Sequence, residues 1–76
     1  MNIIREDSVY EAGLYDAGEG EQFVGPGYAG LRKGRYFVTY KPTPYEQKRG
    51  HGFYTDDLAA AIHRYDVELA RTKRAR

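Results

Sequence analysis

The chain has 76 residues, of which 41% are hydrophobic and 30% charged, with a formal net charge of +1 and no Cys. This is the length of one domain, 1–76, with enough apolar residues for one small core and no thiol for a disulfide, a thiolate metal site or a cysteine nucleophile. No stretch has the apolar length of a membrane span, residues 1–20 are too charged for a signal peptide, and a reducing cytoplasm is the expected compartment.

Ile3 and Ile4 predict a short strand, and the loose alternation of residues 8–15 predicts a second. Residues 16–21 (D-A-G-E-G-E) read as a turn in which Gly18 and Gly20 take positive φ. A third short strand over 22–24 is expected to end at Gly25-Pro26-Gly27. The clearest strand covers residues 35–41. Tyr36, Val38 and Tyr40 fall on one of its faces, and Arg35, Phe37, Thr39 and Lys41 on the other. Lys33-Gly34 is read as a turn that folds residues 28–32 back on this strand as a hairpin. Pro42 and Pro44 end it, because neither donates to a ladder. Residues 42–50 are polar loop, and 51–54 return as a short strand.

No Gly or Pro interrupts the chain after Thr55. Thr55 is the expected N-cap, and Asp56 and Asp57 place negative charge in the first turn. Arg71, Lys73, Arg74 and Arg76 place positive charge in the last turns, which again suits the helix dipole. Leu58, Ile62, Tyr65 and Leu69 make one apolar stripe with Ala61 beside it, all expected to be buried. The expected fold is therefore α+β, a small antiparallel sheet of three to five strands packed against one C-terminal helix over about residues 55–74.

Catalytic chemistry has little to draw on. Ser8 is the sole serine, beside acidic residues and far in sequence from His51 and His63. His63 and Asp66 share a helix face but bring no third metal ligand. The glycine pairs at 18–20 and 25–27 lead into no helix, so they read as turns and not as a phosphate cradle. A non-enzyme is expected, without cofactor or metal.

Charge is unevenly spread. Residues 1–30 hold one basic side chain and six acidic ones, whereas residues 31–76 hold eleven basic and five acidic. Glu11, Asp16, Glu19 and Glu21 form an acidic segment, in or beside a strand and turn, expected to be solvent-exposed and suited to a basic partner. Among eight Tyr and three Phe, Tyr15 and Tyr28 are candidate anchors for a contact surface. Arg32, Lys33, Arg35 and Lys41 are expected to cluster on and beside the central strand with Phe37 and Thr39. Arg64, Arg71 and Arg74 are expected on the helix face away from the core. Basic residues interleaved with aromatics suit a phosphate backbone carrying stacked bases.

Residues 28–32 read Y-A-G-L-R, Gly34-Arg35-Tyr36 follows, and Gly50, Gly52, Phe53, Thr55, Asp56, Asp57, Ala59 and Ala60 lead into the helix. On these residues the segment 28–72 resembles the ethylene-response-factor type DNA-binding domain of plants, found also in phage integrases and homing endonucleases. The resemblance implies a three-stranded antiparallel sheet on one helix, with DNA read by the sheet. The chain differs where the family has an Arg and Ala29 stands, in the place of Tyr65-Asp66 along the helix, and in its acidic residues 6–21. In size and lack of cysteine the chain is also similar to small phage-encoded inhibitors of host defence such as anti-CRISPR proteins, a likeness of type without a shared motif.

Two readings follow. The favoured one is a non-catalytic binding protein that occupies the surface of a protein complex that processes nucleic acid. The other is a DNA- or RNA-binding module that uses the basic-aromatic sheet face. Partner identity and oligomeric state are open in both.

Overall fold

A computed structural model describes residues 1–27, 30–40 and 51–75. In chain order the elements are β1 (Asn2–Asp7), β2 (Ala12–Asp16), β3 (Phe23–Gly27), β4 (Gly30–Gly34), β5 (Tyr36–Tyr40), β6 (His51–Thr55) and α1 (Leu58–Ala75). Four strands form one antiparallel sheet in the order β1-β2-β5-β6, and β3 and β4 form a separate two-stranded ribbon. The α+β class read from the sequence is the fold observed.

The run 8–15 is not one strand. Its first half is the turn of the β1–β2 hairpin: Tyr10 N donates to Asp7 Oδ1 at 3.1 Å, and Glu11 adopts a φ of 56° that reverses the chain. After β2, Gly18 and Gly20 take positive φ as expected, at 114° and 77°.

Gly25-Pro26-Gly27 does not end a strand either. All three lie within β3, paired with β4 from Arg32 to Gly30. Pro26 is tolerated because a two-stranded ribbon has only edges, where a missing N–H costs no ladder bond.

Nor does Lys33-Gly34 turn a hairpin. β4 pairs with β3, β5 pairs with β2 and β6, and Arg35 is the single residue between β4 and β5. The backbone of Arg35 is engaged elsewhere. Its N–H donates to Asp56 Oδ1 at 2.9 Å, and its carbonyl accepts from Ala17 N at 2.9 Å. The chain therefore leaves one ladder there and enters another. Gly34 lies so close to the backbone of Thr55 that a Cβ would not fit, which fastens the ribbon to the end of β6.

The core lies between the four-stranded sheet and α1. Ala12 and Leu14 of β2, Tyr36, Val38 and Tyr40 of β5, and Ala61 and Tyr65 of α1 are buried, with Phe53, Ile62 and Leu69 packed at its margin. The alternation read along β5 holds, since Tyr36, Val38 and Tyr40 all belong to this core.

The helix begins later than Thr55. Asp57 is its cap, with Oδ1 accepting from Ala59 N at 3.0 Å and Ala60 N at 3.4 Å. Thr55 is the last residue of β6, and its Oγ1 accepts from Asp57 N at 3.1 Å to bend the chain into the helix. The buried stripe is also rotated from the expected one. It runs Ala61, Tyr65, Glu68, Thr72, whereas Ile62 and Leu69 are half-buried and Leu58 is 39% exposed. A carboxylate can occupy this stripe because Arg64 and Arg71 approach Glu68 Oε1 from either side, each at 3.3 Å. Among the described residues no helix is long and apolar enough to cross a membrane.

Candidate binding face

The strand face turned away from α1 is built from two cross-strand rows. Tyr15, Phe37 and Tyr54 are direct partners across β2, β5 and β6, and Gly13, Thr39 and Gly52 form the adjoining row. Glycine in the second row lets the rings lie down on the sheet. The Phe37 ring covers Gly52 and the Tyr15 ring covers Gly13, where any Cβ would collide with them. Ring centroids are 6.4 Å apart for Tyr15–Phe37 and 4.8 Å for Phe37–Tyr54. Phe23 of the ribbon joins at 5.8 Å from Phe37, and Gly25 of the ribbon sits against the Tyr54 hydroxyl.

These rings floor an open groove of about 390 Å³ lined by Met1, Tyr15, Phe23, Val24, Phe37 and Tyr54. Its rim is solvated: Val24 is 61% exposed and Met1 79%. A second groove of about 290 Å³ lies alongside, lined by Glu6, Asp7, Ser8, Glu11, Ala12, Tyr15 and Thr39. Tyr15 is the wall between the two. The pair offers flat apolar contact on one side and carboxylates on the other.

The basic residues behave differently from expectation. Arg35 grips Asp16, Nε to Oδ1 at 2.8 Å and Nη2 to Oδ2 at 3.1 Å. This bidentate contact, and then the Gly18 N–H at 2.8 Å, hold the Asp16 carboxyl below its ordinary range, and the same contact raises the Arg35 guanidinium. Asp16 is therefore not the solvent-exposed carboxylate that the acidic segment predicts. Its side chain is only 14% exposed and belongs to this ion pair.

Arg64 folds back over the edge of the core, whereas Arg71 is exposed as expected and is tied to Glu68 of its own helix. Arg64 Nη2 donates to the Tyr40 hydroxyl at 3.1 Å, and the guanidinium carbon lies 5.0 Å from the Phe53 ring and 5.8 Å from the Tyr40 ring. Its Nε is 3.3 Å from Glu68 Oε1, near enough for charge attraction but off the axis of a hydrogen bond. Arg71 Nη1 donates to the same oxygen. The short distance from stripe to flank brings both arginines over Glu68, and of the three only Arg74 is left clear of it.

Arg32 and Lys33 are exposed, but they stand on the ribbon and not beside the central strand. Phe37 is the centre of the ring cluster, and Tyr15 joins it. Glu11, Glu19 and Glu21 are exposed as expected, although only Glu11 lines the acidic groove. Tyr28 and Lys41 lie outside the described residues. Met1, Phe23, Val24, Tyr54 and Glu6 complete the face without having been singled out in the sequence, whereas Asp7, the cross-strand partner of the core residue Ala12, reaches the second groove from the helix-facing side. Tyr54 enters through the register of β6 against β5, which sets it beside Phe37 and which no local sequence pattern marks. Among the described residues no group of three or more His, Asp or Glu is placed to hold a metal ion.

Comparison with protein-family models, with curated proteins and with solved structures gives no match.

Proposed function

We propose that this chain is a non-catalytic binding protein that acts by covering the basic surface of a protein complex that handles nucleic acid, in the manner of small phage-type inhibitors. The observation that carries the reading is the aromatic groove joined through Tyr15 to a groove lined by Glu6, Asp7 and Glu11. Surfaces that hold nucleic acid are rich in Lys and Arg, and carboxylates beside half-exposed rings complement them in charge and in stacking. Direct binding of DNA or RNA is less well supported. Of the cations assigned to that role, Arg35, Arg64 and Arg71 each contact a carboxylate of their own chain.

The experiment is affinity capture from host extract with and without nuclease. A protein that is retained after nuclease, and released by about 0.5 M salt as expected for a screened charged contact, is the expected outcome. Capture of nucleic acid alone, with affinity falling steeply in salt, overturns the reading in favour of the DNA- or RNA-binding alternative.

A further inference from the structure

We infer that the joined grooves receive a short extended segment of the partner in which a bulky apolar side chain is followed, two positions on, by a lysine or arginine. This rests on the protein-binding reading above and gives the recognised chemistry. The aromatic groove lies over the row Tyr15–Phe37–Tyr54, and the acidic groove reaches Thr39 in the next row. Residues two apart on a strand share a face and are separated by about 6.6 Å. An extended segment has the same spacing, so its residues i and i+2 meet one row each. The first meets rings and the exposed Val24 side chain. The second meets the end of the sheet where Glu6 is the direct cross-strand partner of Gly13, exposed and on the same face as Tyr15. A cation there also passes the ring of Tyr15, which adds attraction to the quadrupole.

Phosphate is disfavoured at the second position by the same Glu6 carboxylate. Main-chain strand addition is disfavoured too. The sheet has two edges: the register of β1 shifts between Ile3 and Arg5, and a bulge of that kind spoils an edge for continuous pairing, while the β6 edge is approached by β4 where Gly34 lies on the Thr55 backbone. Recognition is left to side chains.

The test uses the full chain and capped seven-residue peptides centred on Leu-Thr-Lys, Leu-Thr-Glu and Ala-Thr-Lys, titrated by NMR with a short oligonucleotide in parallel. The Leu-Thr-Lys peptide should bind about tenfold more tightly than either of the others, with shifts at Tyr15, Phe37, Tyr54 and Glu6. Glu6→Lys should abolish the preference for Lys over Glu, and Val24→Ser should weaken both leucine peptides while leaving that preference intact. Both positions are exposed, so circular dichroism should be unchanged. Equal affinity for the three peptides, shifts confined to other surfaces, or no binding at millimolar peptide overturns the inference. A nuclease-resistant partner found in that case leaves the protein-binding reading standing. Oligonucleotide binding at the rings overturns both.

Discussion

Leu14 and Val38 are direct cross-strand neighbours on the helix-facing side and have no solvent contact. Truncating either leaves a void that a domain of this size cannot close, so Leu14→Ala should lower stability by about 2–5 kcal/mol in urea unfolding. Leu58→Ala, at a position 39% exposed, should cost less than about 1 kcal/mol. A reversed order would mean that the helix register is wrong. Two single groups also contribute to the pH dependence of the fold. The depressed Asp16 carboxyl gives stability that is fully present above about pH 4 and is lost as pH falls through its folded value. Asp16→Asn should therefore flatten the acid limb of a plot of melting temperature against pH. Tyr65 is the opposite case. Burial first, and Asp7 second, raise its phenol above the ordinary value. Its contribution is fully present below about pH 10 and is lost as pH rises through the raised value, so Tyr65→Phe should remove part of the alkaline loss.

At the scale of elements, the helix is most informative. Asp57→Ala should cost about 0.5–2 kcal/mol because two backbone donors lose their acceptor, whereas Asp56→Ala should release Arg35 N–H and Gln22 and loosen the ribbon junction instead. Thermal melts separate the two if near-ultraviolet dichroism is followed as well. The existence of α1 was legible because no Gly or Pro falls after Thr55 and charge is graded along it. Its rotation was not, because Glu68 and Thr72 hold buried positions and an apolar-periodicity rule passes over both. Arg64 is what makes the Glu68 position tenable. Arg64→Ala should cost about 1–3 kcal/mol, through Glu68 and through lost packing on Phe53 and Tyr40. The alternation along β5 was readable for the opposite reason, since each residue on its core face is large and apolar. The ribbon was not readable. Gly25-Pro26-Gly27 carries the composition of a turn, and only pairing with β4 makes it a strand.

For the whole molecule, separation of the two charge signs along the sequence is only partly carried into space. Arg35 of the basic stretch is bound to Asp16 of the acidic one. What remains on the surface includes the exposed Glu6 beside the aromatic rings, which lies outside the acidic segment read from residues 11–21. Tyr15 and Phe37 were legible as aromatic candidates. Their companions Phe23 and Tyr54 come from a ribbon and an edge strand whose positions depend on long-range pairing, which local sequence rules do not contain.

The way the ribbon is inserted has a consequence for internal motion. β3 and β4 fill the connection between β2 and β5, which are already neighbours without them. A two-stranded ribbon is marginal by itself, so it is held through close contacts such as Gly34 on Thr55 and Gly25 on Tyr54. It can therefore open as a separate unit while the four-stranded sheet stays closed. In native-state hydrogen exchange, amides of Val24 and Arg32 should exchange well before those of Leu14 and Val38. Because Phe23 and Val24 are one bank of the aromatic groove, each opening dismantles the groove and each occupant must hold it shut. Slowed exchange at Val24 on adding the Leu-Thr-Lys peptide, with Leu14 unchanged, would measure that coupling directly.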